Sequence, residues 1–308
     1  SIGGSLKKFN YLATLNSTET SGMSQIAEPN ENVTYEEDRF SRINYLAKMG
    51  YKATDKLTLD FFGSYDKINN DYDGSFDNTG KNDITQNQSD SKQFRAGFLP
   101  KYKYNNGEFV LNSSYNSIQR LYNELDTYSQ KMGLSVYDSR SVNVDTYNKY
   151  EFSKSLFLVA GAQYQFHDMN SETPYGGVAK ENTKFNMIDP YFTGVYISGF
   201  GLNVNAGARL NIHSEYGNQL VYNLNPSYDF KSFPLKVLAS YSTAFVTPSL
   251  YQLYSQYGNV SLTPEENSTI EAGFETNLLD KKIRLSVVGF HREQTDFIGF
   301  SSAYKYIN

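Results

Sequence analysis

LNVNAGARLNIH, residues 202–213, alternates apolar and polar side chains along its whole length. Leu202, Val204 and every second residue after them are apolar, whereas Asn203 and every second residue after it are polar or glycine. Successive side chains of a β-strand point to opposite faces of a sheet. This stretch therefore predicts a strand with one apolar face and one polar face.

The same alternation recurs through the chain, for example over 57–66, 220–230 and 270–275. Such segments run to about 9–14 residues, longer than the roughly 5–6 of a strand in a soluble sheet. A tilted strand needs about 9–11 residues to cross a membrane. Segment length therefore favours membrane-spanning strands over a half-solvated soluble sheet.

Short and long connections follow one another between these segments. Short ones are predicted at 54–56, 105–107, 153–154, 198–199, 231–232 and 280–281, and long polar ones near 18–37, 70–91, 122–139, 171–183 and 246–265. Short turns at one membrane surface and long loops at the other are typical of outer-membrane barrels. We predict an all-β fold, a transmembrane antiparallel up-and-down β-barrel, with about fourteen strands in this chain.

Composition narrows the possible functions. The 308 residues include no Cys, which excludes disulfides and Cys-based metal or redox sites, and we expect no redox cofactor. The net charge of −5 gives no basic stripe for nucleic acid. A mean hydropathy of −0.56 remains compatible with a membrane, because only one face of a barrel strand is apolar.

Two of the long loops are strongly acidic. The first contains Glu19, Glu28, Glu31, Glu36, Glu37 and Asp38, and the second contains or adjoins Asp66, Asp71, Asp73, Asp77, Asp83 and Asp90 against a single Lys81. Clustered carboxylates with amide and backbone oxygens suit calcium. A solvated acidic loop is the alternative, and the residues alone leave both open.

Sequence patterns typical of catalytic sites are weak in this chain. His167, His213 and His291 are the three histidines, and they show no metal-binding spacing such as H-E-x-x-H. No Ser lies in a nucleophile-elbow context. A histidine on the polar face of a barrel strand is expected to be a hydrogen-bonded wall residue, so we predict that the protein is not an enzyme.

The most distinctive stretch is STAFVTPSLYQLYSQYGNVSLTPE, residues 242–265, followed by STIEAGF at 268–274. It resembles the late barrel of TonB-dependent outer-membrane receptors, with an AF-x-x-P-x-L-x-x-L-Y strand end, a YGN-x-x-L-x-PE loop and a returning E-x-G strand. Pro248 would end the strand, Gly258 would permit a turn, and Leu250 and Leu253 would pack the loop into the barrel mouth.

The resemblance implies a Gram-negative outer-membrane receptor that imports a scarce, bulky nutrient. Within the family this stretch is most similar to cobalamin receptors, with siderophore or haem receptors as the alternative. Tyr251, Tyr254 and Tyr257 are the expected substrate contacts, since aromatic rings can stack on a planar ligand. They could equally pack the loop. An outer-membrane enzyme and a passive porin or adhesion barrel are less favoured classes.

Resemblance to cobalamin receptors also implies calcium in the acidic loops. Tyr65 and Asp66 match a Tyr-Asp pair at a strand end that helps to hold the ion, and Asp71 and Asp73 lie in the same loop. Expected partners are the TonB protein, a small-molecule ligand and a surface lipoprotein over the mouth, with the membrane around the barrel.

A complete receptor of this family has a plug domain before its barrel, and its barrel has twenty-two strands. The sequence shows no plug and fewer strands. We therefore expect residues 1–308 to be a partial outer-membrane barrel domain, without the plug domain and the terminal strands, on which TonB would act through the plug.

Overall fold

The computed structural model describes residues 1–28, 30–73, 83–126, 129–280 and 282–308. Asp77, Lys81 and part of the predicted turn at 280–281 lie outside these ranges. The chain forms two compact units. Unit 1 comprises Ser1–Pro100, Asn112–Asn143 and Phe166–Lys184, and unit 2 comprises Lys101–Leu111, Val144–Gln165 and Phe185–Asn308.

Strands make up nearly all of the regular structure. They are β1 (Ile2–Leu6), β2 (Phe9–Thr20), β3 (Phe40–Lys52), β4 (Leu57–Asp71), β5 (Gln88–Tyr104), β6 (Gly107–Asp126), β7 (Lys131–Ser153), β8 (Leu156–Thr173), β9 (Gly176–Val178), β10 (Lys184–Ile197), β11 (Leu202–His213), β12 (Gly217–Asp229), β13 (Leu235–Val246), β14 (Glu265–Leu278), β15 (Ile283–Thr295), β16 (Gly299–Phe300) and β17 (Tyr306–Ile307). One short helix, α1 (Leu250–Tyr254), lies between β13 and β14. No helix in the described ranges is long and apolar enough to cross a membrane.

Strands β1–β8 and β10–β15 are hydrogen-bonded in chain order, and β9 adds to β8. In the described part of the chain, β1 and β15 each have a single strand neighbour. Every pairing with a defined register is antiparallel, as between β11 and β12, where Leu210 faces Leu220. The all-β antiparallel meander of about fourteen strands predicted from alternation is confirmed.

The short connections lie where the sequence predicts them, while one of the long connections does not. Strand β6 continues to Asp126 and β7 begins at Lys131, so most of the loop predicted at 122–139 is strand. A crossing needs about 9–11 residues. With 23 residues, β7 extends well beyond a membrane on the side of the long loops. The sequence did not indicate this extension, because both faces of a strand above the membrane contact water and carry polar residues like those of a loop.

Alternation separates the two faces of unit 2. On one face Leu224 lies opposite Tyr241 in the β12–β13 pairing. On the other face the Arg209 guanidinium lies 3.6 Å from the Asp189 carboxylate and donates a hydrogen bond of 2.8 Å to Gln163. Because lipid faces the apolar side of an outer-membrane barrel wall, the first face is the lipid face and the second lines the lumen.

Candidate functional site

Long connections at the outer ends of the strands supply the candidate site. In unit 1 the acidic loop pair consists of the described parts of 21–39 and 72–87, which join β2 to β3 and β4 to β5. In unit 2 the helix–loop segment, residues 247–264, joins β13 to β14.

Two buried carboxylates lie at the centre of the acidic loop pair. Asp38 and Asp73 are each only 7% exposed. The backbone N–H of Gln25 donates to Asp38 Oδ2 at 2.7 Å, and that of Ile84 donates to Asp73 Oδ1 at 2.9 Å. The two carboxylates are close enough to share a hydrogen bond if one of them is protonated. Like charges held this closely cost free energy unless a proton or a cation compensates them.

Electrostatics in the loop pair reflect this crowding. Burial raises the pKa of Asp38, with a further contribution from Asp73, against a lowering by the Gln25 backbone hydrogen bond. Burial and then the charges of Asp83 and Asp73 raise the pKa of Glu36. These carboxylates therefore repel one another when they are charged, and a proton or a cation would relieve that repulsion.

Buried oxygens without a partner point into the same cluster. Asp38 Oδ1 and Asp83 Oδ1 accept no hydrogen bond, although both are shielded from solvent. Within the described ranges, no three Asp, Glu or His side chains converge as a metal site. A hard cation here would therefore combine Asp38 and Asp73 with amide or backbone oxygens, a mixture that calcium accepts. The donor chemistry fits calcium, whereas a site built from carboxylates alone is not formed.

The structure places the four residues expected from the Tyr-Asp resemblance in four different surroundings. Tyr65 lies opposite Tyr45 on the apolar face of β4. Asp66, the next residue, points to the other face and accepts a hydrogen bond of 3.0 Å from Arg42 Nε. Asp71 lies 3.7 Å from Arg39, and Asp73 alone joins the acidic cluster.

The physical reason for this separation is the pleat of the strand. Adjacent residues of a continuous strand face opposite sides, so Tyr65 and Asp66 cannot both point at one ion in this conformation. Asp38 and Asp83 take part in the cluster instead. The signal that could have found them was the density of acidic residues in both loops, which locates the loops but not the carboxylates that meet.

The helix–loop segment of unit 2 begins with a capped turn. Ser249 Oγ accepts a hydrogen bond from the Gln252 backbone N–H, and Gln252 Oε1 accepts one from the Ser249 N–H, which completes a capping box. Leu250 and Leu253 of α1 are buried. The prediction that these two leucines pack the loop is confirmed.

Residues 299–308, called here the 299–308 hairpin, form β16 and β17 and fasten the helix–loop segment. Lys305 Nζ donates to the carbonyls of Gln256 and Gly258 at 3.1 and 3.3 Å. Asn259 Nδ2 donates to the Tyr306 carbonyl at 3.0 Å, and the Tyr306 N–H donates to the Tyr257 carbonyl at 3.1 Å. Sequence reasoning missed this hairpin, because its contacts join residues about 45 positions apart.

The three tyrosines expected to contact substrate lie in this region, each half-buried. The Tyr251 ring meets the Tyr306 ring edge-on at 6.4 Å, and the Tyr257 ring meets Phe300 at 5.8 Å. Tyr254 lies near Tyr216, whose pKa burial raises to about 12 with a smaller contribution from Tyr254. Two of the rings thus pack against the hairpin, and Tyr254 contacts neither hairpin ring in these pairs.

The histidines occupy structural positions. His213 Nδ1 accepts the backbone N–H of Glu215 at 3.0 Å, and its ring stacks on Phe185 at 4.7 Å. His291 is exposed beside Glu293, with 3.4 Å between His291 Nε2 and Glu293 Oε1. The contacts of these two residues belong to the strand wall and its outer rim.

Comparison with known proteins gives a family match, one sequence relative and two solved structures of similar fold. The family model described as "TonB dependent receptor-like, beta-barrel" matches residues 9–308. The vitamin B12 transporter BtuB of Vibrio cholerae is 36% identical over 102 residues, which cover 32% of this chain and 16% of that protein.

Among solved structures, the ferric enterobactin receptor PfeA of Pseudomonas aeruginosa aligns with a TM-score of 0.73 at 14% identity, over 95% of this chain and 49% of that one. The copper transporter OprC aligns with a TM-score of 0.77 at 12% identity, over 99% and 52%. The chain therefore spans about half the length of these solved proteins. At such identities the likeness shows the fold alone.

Proposed function

Because the chain belongs to the TonB-dependent receptor-like β-barrel family of the Gram-negative outer membrane, we propose that it forms wall and mouth loops of a receptor that imports a scarce, bulky nutrient. The family is one of receptors and transporters rather than enzymes. Supporting this role, the strands are joined by short turns at one end, whereas the longer connections 21–39, 72–87 and 247–264 all lie at the other end. In the whole receptor, TonB would act on a plug domain to open a passage through the lumen, and a surface lipoprotein over the mouth stays a prediction.

Cobalamin is the nutrient that we propose first. The observation that carries this choice is the 36% identity to a vitamin B12 transporter over 102 residues. The likenesses to ferric enterobactin and copper proteins extend over more of the chain but at 12–14% identity. A ferric siderophore is accordingly the second candidate.

Tyr254 is the tyrosine that we propose for direct ligand contact. Tyr251 and Tyr257 already pack against Tyr306 and Phe300 of the 299–308 hairpin. A planar ligand seated over the mouth could stack on an aromatic face and gain apolar contact there. The Tyr254→Phe receptor should keep most of its affinity, whereas Tyr254→Ala should bind about tenfold more weakly.

Calcium, in this proposal, orders the acidic loop pair before the ligand binds. Asp38 and Asp73 would hold the ion, with Glu36 and Asp83 adding negative potential beside it. Neutralising the facing carboxylates would fix the two loops relative to each other. Ligand affinity would then depend on calcium through the ordering of the loops rather than through contact with the ion.

Calorimetry on the full-length receptor tests both parts of the proposal. Cyanocobalamin is titrated with calcium present and with a chelator, and a ferric catecholate siderophore is titrated in parallel. We expect cyanocobalamin binding that weakens about tenfold on chelation, within the usual range of coupling between two sites. Absence of cyanocobalamin binding in both conditions would refute the cobalamin assignment, and siderophore binding in its place would favour the second candidate.

A matched pair of variants isolates the calcium claim. The double variant Asp38→Asn, Asp73→Asn should bind cyanocobalamin equally with and without chelator. The control Asp55→Asn alters an exposed carboxylate in the short turn between β3 and β4, and it should keep the response of the wild type. A wild-type affinity that chelation leaves unchanged would remove calcium from the proposal and leave cobalamin in place.

A further inference from the structure

Two neighbouring strands of unit 2, β12 and β13, are paired along only part of their length. Their backbone ladder reaches outward as far as the pair of Asn223 and Ser242 and ends there. Beyond it, residues 217–222 of β12 stay paired with β11, and residues 243–246 of β13 stay paired with β14. Within the described ranges these two facing segments, called here the outer seam, have no backbone pair with each other. The wall is therefore interrupted along one line, with regular sheet on both sides.

A second interruption of the same pairing lies nearer the short turns. Asn225 and Pro226 are paired with β11 but, in this fully described stretch, not with β13. Proline has no N–H to donate to a ladder, so within sheets it occurs at edges and irregularities. Ser240 Oγ donates to Asn225 Oδ1 at 2.7 Å and links the two strands by side chains instead. β12 is thus weakly tied to β13 at two levels.

Side chains bridge the outer seam where the backbone does not. The Tyr222 N–H donates a hydrogen bond to Thr243 Oγ1 at 3.0 Å. A threonine hydroxyl that bonds the main chain competes with a sheet ladder for the same groups. Nearer the mouth, Gln219 Nε2 donates to Glu266 Oε1 at 2.7 Å, which links β12 to β14 past the end of β13. These two side-chain hydrogen bonds take the place of a backbone ladder.

Packing along the outer seam is loose. A cavity of about 240 Å³ lies there, and its lining includes Val221 of β12 and Ala244 of β13. Close-packed protein interiors contain few voids larger than a water molecule. A relative movement of the two sides would therefore not have to break a packed core.

The level of the seam in the membrane also permits it to open. β12 ends at Asp229 beside a short turn, and Gln219 lies about 10 residues from that end. A tilted strand crosses the hydrocarbon layer in about 9–11 residues. The outer part of the seam thus lies near the head groups, where water can bond the free backbone groups. Deeper in lipid, the protein itself would have to satisfy those groups.

Each side of the seam carries its own part of the mouth. On one side, β12 turns back into β11 and is continuously paired with it. On the other side, β13 leads at Val246 directly into the helix–loop segment. Glu265 Oε1 accepts the Ile298 N–H at 2.8 Å, so β14 is tied to the start of the 299–308 hairpin, which fastens that segment. The two sides approach each other again at the mouth, where Tyr216 lies near Tyr254.

We propose that the outer seam is a hinge line in the wall of unit 2. The outer ends of β13, β14 and β15 swing together with the helix–loop segment and the 299–308 hairpin, while β11 and β12 stay in place. The ladder around Asn223 and Ser242 is the pivot. The hydrogen bond from Gln219 to Glu266 latches the closed position, and its release widens the mouth on this side. The inference requires the barrel wall but no particular nutrient, so it is independent of the cobalamin assignment.

Double electron–electron resonance on the full-length receptor in nanodiscs tests the hinge, with spin labels on pairs of introduced cysteines. The lack of native Cys in this chain keeps the labelling specific. Glu215→Cys with Ser302→Cys spans the seam between two exposed positions of the mouth. Two reference pairs each join a short turn to the mouth on one side of the seam: Phe200→Cys with Glu215→Cys, and Leu279→Cys with Ser302→Cys. The spanning pair should give a distance distribution about twice as broad as either reference pair, because two positions of the wall are populated.

A matched pair of variants tests the latch. Gln219→Leu removes the hydrogen bond across the seam and should increase the open population about fivefold, as expected for the loss of one hydrogen bond. The control Gln294→Leu removes a hydrogen bond of 3.1 Å to Glu265 Oε2, which joins β14 and β15 on one side of the seam. It should leave the spanning distribution as in the wild type.

Three results would overturn the proposal. The first is a spanning distribution no broader than the references in the wild type. The second is a Gln219→Leu receptor that matches its control. The third is a broadening of the reference pairs together with the spanning pair in Gln219→Leu, because the bond would then stabilise the wall in general rather than latch a hinge.

Discussion

The acidic loop pair of unit 1 and the helix–loop segment of unit 2 both lie at the outer ends of the strands, yet they are stabilised in opposite ways. Asp38 and Asp73 face each other with partnerless oxygens nearby, and burial and mutual repulsion raise the pKa of Asp38. In the helix–loop segment, Asn259 and Lys305 satisfy the backbone carbonyls that they approach. In the described part of the first region the clustered carboxylates repel one another, whereas the second region supplies its own hydrogen-bond partners.

This difference separates two ways of building a binding mouth. A loop with unneutralised carboxylates can be ordered by a cation, so its structure depends on the solution around it. A loop closed by hydrogen bonds and aromatic packing keeps its shape whether or not the solution contains such a cation. We expect the acidic pair to respond to calcium and pH, and the helix–loop segment to respond to changes in its own residues.

The largest effect is expected from Gly258→Val. An added Cβ would lie 2.5 Å from the Leu253 carbonyl oxygen and 2.8 Å from that of Ser255. Both are backbone atoms, which cannot move away unless the loop itself shifts. Overpacking of this kind costs about 1–3 kcal/mol or more. Limited proteolysis of the full-length receptor should show faster cleavage within 247–264. The control Gly194→Val has no atom within 4 Å of its added Cβ and should be cleaved like the wild type.

The pH response of the acidic loop pair should follow from the raised pKa values of Asp38 and Glu36. With the pKa raised in the folded loops, the folded form binds more protons than the open form between the ordinary carboxyl value of about 4 and the raised value. Loop stability must then fall as pH rises through that window. In chelator, hydrogen exchange in residues 21–39 should be slower at acid pH than at neutral pH.

Calcium should remove this pH response by neutralising the same carboxylates at neutral pH. Exchange in the helix–loop segment serves as the internal control, after correction for the intrinsic effect of pH. If the corrected exchange rates of 21–39 are equal at both pH values in chelator, the repulsion between Asp38 and Asp73 does not govern the loop.

A smaller effect is expected from Asn259→Ala. The change removes the hydrogen bond from Asn259 Nδ2 to the Tyr306 carbonyl and the one that Asn259 Oδ1 accepts from the Ser261 N–H. Each hydrogen bond of this type contributes about 0.5–1.5 kcal/mol. Hydrogen exchange should accelerate in both the helix–loop segment and the 299–308 hairpin. Acceleration in one of them alone would show that they are not coupled.

The smallest effect is expected from Ser249→Ala, which removes the cap of α1. Loss of an N-cap hydroxyl costs about 1 kcal/mol, and Gly in the same place only a few tenths. Exchange of the Gln252 amide should accelerate in Ser249→Ala, while Ser249→Asp should restore protection. An unchanged amide in Ser249→Ala would mean that burial of Leu250 and Leu253 alone holds the turn.

Much of the site was predictable wherever the signal was local. The packing of Leu250 and Leu253 was predicted from a few neighbouring residues and is confirmed, whereas the equally local capping box of Ser249 and Gln252 was not predicted. Which carboxylates meet was not predictable, since Asp66 pairs with Arg42 on a neighbouring strand and Asp38 meets Asp73 from another loop. Those choices depend on register between strands, to which one sequence gives no direct access.

The sequence by itself determined the strands, their two faces and the short turns, because alternation with a period of two is a property of each segment alone. Alternating segments such as 202–213 became strands with the expected lipid and lumen faces. Tertiary structure alone decided how far β6 and β7 project, which acidic residues share a cluster, and that the 299–308 hairpin fastens Tyr257 and Asn259. Each of these depends on residues distant in the chain, whose approach is set by pairing and burial rather than by local pattern.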